Sequence, residues 1–188
     1  MSAAESFRAE YPVAERWRDW DQAAAARLAG CLPAEMMELL SRDGFCSYGD
    51  QLLWAADPDD LGEMVRPWLP GEKTVVPLFR TAFGDLFLWN GASVFHAAVH
   101  LSTVTPCALS ARFLLDQVLV DDRYRRRVLR KPLLKQAACQ AGRLEPDEMY
   151  SCRPSLAHGG DFRTSAIVRE KLREGLAALA DAGPVTRG

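Results

Sequence analysis

An α+β fold with N-terminal helices, a central antiparallel β-meander and C-terminal helices packed on the sheet is predicted by three features of this 188-residue chain. The first is an Asn90-Gly91 step between two apolar alternations, the strongest short hairpin signal a sequence offers. The second is helical composition at both ends, in the alanine run Ala23–Ala26 and in the apolar stripe Ile167, Leu172, Leu176, Leu179. The third is the order of these segments. Helices flank the strands and do not alternate with them, which argues against a doubly wound sheet.

In chain order, the spacing predicts a helix over Ala14–Leu28. Pro33 suits the first turn of a second helix, Ala34–Arg42, whose stripe is Met36, Met37, Leu39 and Leu40. Asp43-Gly44 closes it. Phe45–Tyr48 and Gln51–Ala55 read as extended. Asp57 before Pro58, with Asp59 and Asp60 behind it, reads as a capped N-terminus of a short helix to Trp68. Strands are expected at Thr74–Thr81, Asp85–Trp89 and Ser93–Leu101. In the second of these Phe87 and Trp89 face one side and Leu86 and Leu88 the other, so that strand should be central and covered on both faces. After Thr105-Pro106 the chain should turn helical, over Ser110–Val120 and Asp122–Gly142, with Pro132 bending or splitting the latter. Met149–Arg153 should add a short strand. Thr164–Ala180 reads as a last helix, stopped by Gly183-Pro184.

Hydrophobic content of 48% and charged content of 26% are those of an ordinary globular chain. The apolar runs are too short for a membrane helix, which needs about 18 residues or more. Met1–Glu10 has no apolar segment of a secretory signal, so the expected location is the cytoplasm. Five cysteines at irregular spacing, Cys31, Cys46, Cys107, Cys139 and Cys152, read as reduced, buried small hydrophobes. The net charge of −2 is divided unevenly: residues 1–70 carry 13 acidic and 6 basic side chains, and residues 121–188 carry 9 and 14. Such polarity bears on partners and encounter rates.

No arrangement of residues reads as catalytic or metal-binding. In a strand His96 and His100 would lie about 13 Å apart along the chain, too far for one zinc ion. No G-x-S-x-G elbow occurs. Gly159-Gly160 before a helix has the form of an anion site, but a lone Gly-Gly is better explained as a tight loop needing positive φ. Arg123, Arg126, Arg127 and Arg130 fall at helical spacing within residues 123–135, the best candidate for a nucleic-acid or small-ligand surface. The overall acidity (pI ≈ 5.9) argues against nucleic acid and for intramolecular pairing or solvation of that stripe. Asp57, Asp59, Asp60 and Glu63 beside Trp54 are more acids than a helix cap needs. They form a candidate partner-binding edge, which Asp19 and Asp21, next to Trp17 and Trp20, would extend.

Two motif blocks carry a family resemblance. Leu32-Pro33, Asp43-Gly44-Phe45, Leu52-Leu53-Trp54, Asp57-Pro58 and Thr81-Ala82-Phe83-Gly84-Asp85 resemble the GAD-like domain. Asp147-Glu148-Met149-Tyr150, Pro154-Ser155-Leu156-Ala157 and Gly159-Gly160 are similar to the C-terminal part that accompanies it in type VI secretion immunity proteins. The resemblance implies a GAD-like lobe over residues 1–105 and a mainly helical lobe over 106–188 sharing one core. It also implies an immunity protein that neutralises a cognate secreted toxin, a nuclease or nucleotide-targeting enzyme, with no catalytic residue and no cofactor. The acidic N-terminal region would then complement the basic cleft of such a toxin.

Overall fold

The computed structural model describes residues 2–163, 165–181 and 186–187. Its main sheet is a meander. Strands β1 (Val13–Arg18), β2 (Phe45–Tyr48), β3 (Leu53–Ala55), β4 (Val76–Thr81), β5 (Leu86–Trp89), β6 (Val94–Ala98) and β7 (Thr103–Ala108) lie side by side in sequence order, each antiparallel to the last. Thr186–Arg187 adds a short parallel edge on β7. A separate hairpin pairs β8 (Glu148–Arg153) with β9 (Ala166–Lys171). The helices are α1 (Ala3–Glu10), α2 (Gln22–Leu28), α3 (Ala34–Asp43), α4 (Pro58–Val65), α5 (Ala111–Phe113, continuing as a π turn Leu114–Val118), α6 (Asp122–Arg127), α7 (Lys131–Ala141) and α8 (Leu172–Asp181). The α+β class is as expected, with helices on both faces of a central sheet.

Strand β5 organises the core. Leu86, Phe87 and Leu88 are fully buried. Phe87 joins one cluster with Phe7, Tyr48 and Phe79, while Leu86 and Leu88 join another with Leu61, Val65, Trp68, Met149 and Leu176. Alternate side chains of one strand thus enter opposite layers, the arrangement a covered central strand requires. The Asn90-Gly91 turn forms between β5 and β6: Asn90 Oδ1 accepts the N–H groups of Ala92 (3.1 Å) and Ser93 (2.9 Å), and Gly91 takes φ +96°.

Four expectations are corrected. Ala14–Leu28 is not one helix. Residues 13–18 form β1, paired to β2, and the helix starts only after Asp21, whose side chain caps it. Trp17 and Trp20 sit against the Phe45 ring at 5.4 and 5.8 Å, and that contact, with the pairing, overrides helical composition. Similarly, residues 166–171 of the last predicted helix form β9; Ile167 and Val168, β-branched, oppose Cys152 and Ser151. Thr164 and the Gly183-Pro184 stop lie outside the described residues. The chain after Thr105-Pro106 is still strand: β7 accommodates Pro106 beyond its two-residue contact with Thr186–Arg187, where no amide donor is needed. Finally, Cys31 and Cys139 are exposed, while Cys46 and Cys152 are buried as expected.

A helix at residues 3–10 had no counterpart in the expected elements. Ser2 and Glu5 close a capping box there: Ser2 Oγ accepts Glu5 N–H at 3.2 Å, and Glu5 Oε2 accepts Ser2 N–H at 2.8 Å. Pro132 splits the predicted 122–142 helix into α6 and α7 and stands in the first turn of α7. One buried cluster runs from Ala3 to Ile167, so both ends of the chain contribute to a common core. None of the helices is long and apolar enough to cross a membrane, among the described residues.

Candidate partner-binding surface

The turn between β4 and β5 is the structural hub. Thr81 Oγ1 accepts the N–H groups of Phe83 (3.2 Å) and Asp85 (3.1 Å), and Thr81 N–H donates to Asp85 O at 2.8 Å. Gly84 takes φ +80°, and a Cβ there would stand 2.5 Å from Met149 Sδ. This close approach lets β8 pack on the turn. Tyr150 N–H donates to Ala82 O at 2.8 Å, and the Phe83 ring meets Tyr150 at 5.8 Å and Phe162 at 5.3 Å. The two motif blocks, some 60 residues apart, are therefore one packed unit.

Asp85 is fully buried at the end of that turn. Its Oδ1 accepts Val99 N–H at 3.1 Å and its Oδ2 pairs with Arg130 Nη1. The Arg130 guanidinium also lies over the Phe83 and Phe162 rings, at 5.7 and 5.4 Å. His96 Nε2 stands 3.9 Å from Asp85 Oδ2, and His100 Nε2 is 2.9 Å from Phe83 O. Both histidines are buried, and burial, opposed by Asp85 and reinforced by Arg130, pushes their pKa values below the ordinary imidazole range. Glu170 adds a weaker opposing effect at His100, and the rings of Tyr124 and Phe162 complete the surroundings.

Both imidazoles are held neutral in the fold but protonate near their usual value of about 6.5 when unfolded. The unfolded state therefore binds more protons once the pH drops below that value, and stability falls. Melting temperature should decline from pH 7 to pH 5, with no corresponding change from 7 to 8. His96→Gln combined with His100→Gln should flatten the acid limb; an unchanged limb would remove these residues as its source.

Two members of the acidic edge expected from the sequence lie in the interior, while Asp19, Asp59, Asp60 and Glu63 are at the surface. Trp54 and Asp57 are buried, so neither is an exposed contact. Trp54 Nε1–H donates to Gln51 O at 2.9 Å, and Asp57 caps α4 through Asp59 N–H (2.9 Å) while pairing with Arg18. Burial drives the Asp57 pKa up, against the Asp59 amide and Arg18. Asp59 pairs with Arg27 (2.7 Å), Asp60 with Arg173, Glu63 with Arg66 (3.3 Å) and Asp19 with Arg16 (3.4 Å). Asp21 caps α2, with Oδ1 accepting Ala24 N–H at 2.6 Å. These acids meet basic neighbours or amides of their own chain. Asp21→Ala should cost about 1 kcal/mol of stability, read from urea denaturation.

The basic stripe is also rearranged. The helix ends at Arg127, and Arg130, in the left-handed region at φ +57°, turns inward to Asp85. Arg125 pairs with Glu10 (2.6 Å) and Arg126 with Asp122 (2.6 Å). What remains is a groove of about 690 Å³ lined by Arg126, Arg127, Arg130 and Arg163, with Asp161 and the apolar Leu101, Leu133, Leu156 and Phe162. Nothing in local sequence pointed to Leu101, Phe162 or Arg163. Among the described residues, no three His, Cys, Asp or Glu side chains converge as metal ligands.

Comparison with known proteins agrees with this architecture. The fold is similar to the crystal structure of Atu4351 from Agrobacterium tumefaciens, at a TM-score of 0.74 and 16% identity, covering 97% of this chain and 90% of that one. At that identity the likeness concerns the fold. No curated protein sequence matches. The GAD-like domain family model matches residues 3–103, from the first helix to the start of β7 and more than half of the molecule, so this chain belongs to the GAD-like domain family.

Proposed function

We propose that this protein is an immunity protein. It binds a cognate interbacterial toxin delivered by type VI secretion, occludes or distorts the toxin's active site, works in the cytoplasm and performs no turnover of its own. The observation that carries this reading is the packing of the two motif blocks on each other. The Thr81–Asp85 turn belongs to the GAD-like part, and the Met149–Tyr150 strand is the segment resembling the C-terminal part of immunity proteins. They are joined through Gly84, Ala82 and Phe83. A rigid surface assembled from both halves suits stoichiometric inhibition, because preorganisation reduces the ordering cost of association.

The test is coexpression with the toxin encoded beside it. A stable complex on size exclusion and restored growth of toxin-producing cells are expected. A protein that binds no neighbouring toxin, or that protects only by consuming a small molecule at multiple turnovers, would end this reading.

A further inference from the structure

We propose that the groove between Leu101, the α6–α7 junction and the loop 156–163 is the docking surface for an acidic segment of a partner protein, one that also carries an apolar anchor side chain. The inference rests on the inhibitory reading above and specifies the partner's chemistry.

Three observations converge on this groove. The first is uncompensated charge. Arg127 and Arg163 are exposed and lie within ion-pair distance of no carboxylate among the described residues. Arg126 commits its Nε to Asp122. Asp161 is the acid in the lining, and its Oδ1 accepts the Arg163 backbone N–H at 3.0 Å. By contrast, Asp19, Asp59, Asp60 and Glu63 all have basic partners. Unpaired positive charge available to a partner therefore sits in this groove, beside apolar surface.

The second is exposed apolar surface. Leu101 is 58% exposed at the rim, while Leu133, Leu156 and Phe162 form the wall and floor. Cations around an aliphatic recess match a segment that mixes carboxylates with an apolar side chain.

The third is backbone conformation. Ser102, next to Leu101, has φ +49°, and Arg130 has φ +57°. Each is a non-glycine residue in the left-handed region, which costs free energy unless the surroundings hold it there. One conformation carries Leu101 at the surface, and the other carries Arg130 into the floor.

A nucleic acid fits this groove less well. Strand backbones are bound by long basic tracks with exposed aromatic platforms. Here Phe162 is buried, with Arg130 over its ring, and the exposed apolar group is a leucine.

The experiment uses the full chain, wild type and three variants: Arg127→Glu with Arg163→Glu, Leu101→Asp, and Arg66→Glu as a control away from the groove. Circular dichroism and thermal melts establish that each is folded. Each is titrated with the neighbouring toxin by calorimetry, and with a fluorescein-labelled peptide alternating glutamate and leucine, a lysine–leucine counterpart and single-stranded DNA. The double arginine variant and Leu101→Asp should each weaken toxin binding by about tenfold or more, with Arg66→Glu unchanged. The glutamate peptide should bind wild type in a salt-sensitive manner and the double variant at least about tenfold less. If wild type binds toxin and the groove variants bind equally well, the docking assignment is overturned while the inhibitory reading stands. If wild type binds no toxin, the inhibitory reading fails, and the peptide alone decides the groove. Preference for single-stranded DNA over the peptide, lost in the same variant, overturns the assignment in favour of nucleic acid.

Discussion

Arg130→Met should lower the unfolding free energy by about 3–5 kcal/mol, because it removes one member of a buried ion pair and leaves the other uncompensated. Asp85 is fully buried; without Arg130 its carboxylate keeps Val99 N–H at 3.1 Å and a neutral His96 at 3.9 Å. Methionine retains much of the apolar stem over Phe83 and Phe162 while deleting the charge. The companion variant Asp85→Asn should also destabilise, but Arg130 is partly exposed and lines the groove, where water can receive its guanidinium. Combining the two should therefore cost clearly less than the sum of the singles. Urea denaturation of all four proteins gives the coupling directly. A cost below about 1 kcal/mol for Arg130→Met would mean that the pair behaves like a surface salt bridge and does not anchor the hub.

Trp54→Ala should cost a further-reaching 3–5 kcal/mol or so, through the cavity left by a large buried ring. Trp54 is 1% exposed, and its indole N–H holds Gln51 O at 2.9 Å. Gln51 is itself a non-glycine residue at φ +73°, and its side chain bonds Leu144 O at 3.0 Å and Leu144 N–H at 3.2 Å. Above the ring, 4.3 Å from its centre, lies the guanidinium of Arg80, whose Nη2 donates to Pro146 O at 2.8 Å. Burial lowers the Arg80 pKa to about 9, which still leaves it charged at neutral pH. Losing Trp54 thus removes packing for a buried cation and loosens the tether between β3 and the chain at residues 144–146. The variant should melt at lower temperature yet, while folded, bind the proposed toxin partner with unchanged affinity. Weaker binding at full stability would restore Trp54 as a surface anchor.

These two residues illustrate how far local sequence reaches. Trp54 among acids looks like an interface from the sequence, because aromatic and charged neighbours are common to interfaces and to capped helices packed on a core. The structure separates the cases by burial: Asp57 caps α4 from inside and Trp54 supports Arg80. The Asp85–Arg130 pair spans 45 positions and crosses the three strands β5, β6 and β7 and the helices α5 and α6, so no spacing rule exposes it. Helix α1 is different. Ser2 and Glu5 stand three residues apart before Phe7, a capping box legible in local sequence alone.

By itself the sequence determined the α+β class, the central β5 covered on both faces, the Asn90-Gly91 hairpin, the break at Pro132 and the two blocks that carry the family likeness. Each rests on interactions within a few residues: alternation, a turn that needs positive φ, a missing amide donor. Tertiary structure alone decided that residues 13–18 and 166–171 are strands, since pairing with β2 and β8 outweighs local helical preference. It also decided which charges remain unpaired, because neutralisation depends on side chains brought together from distant positions and not on the order in which they occur.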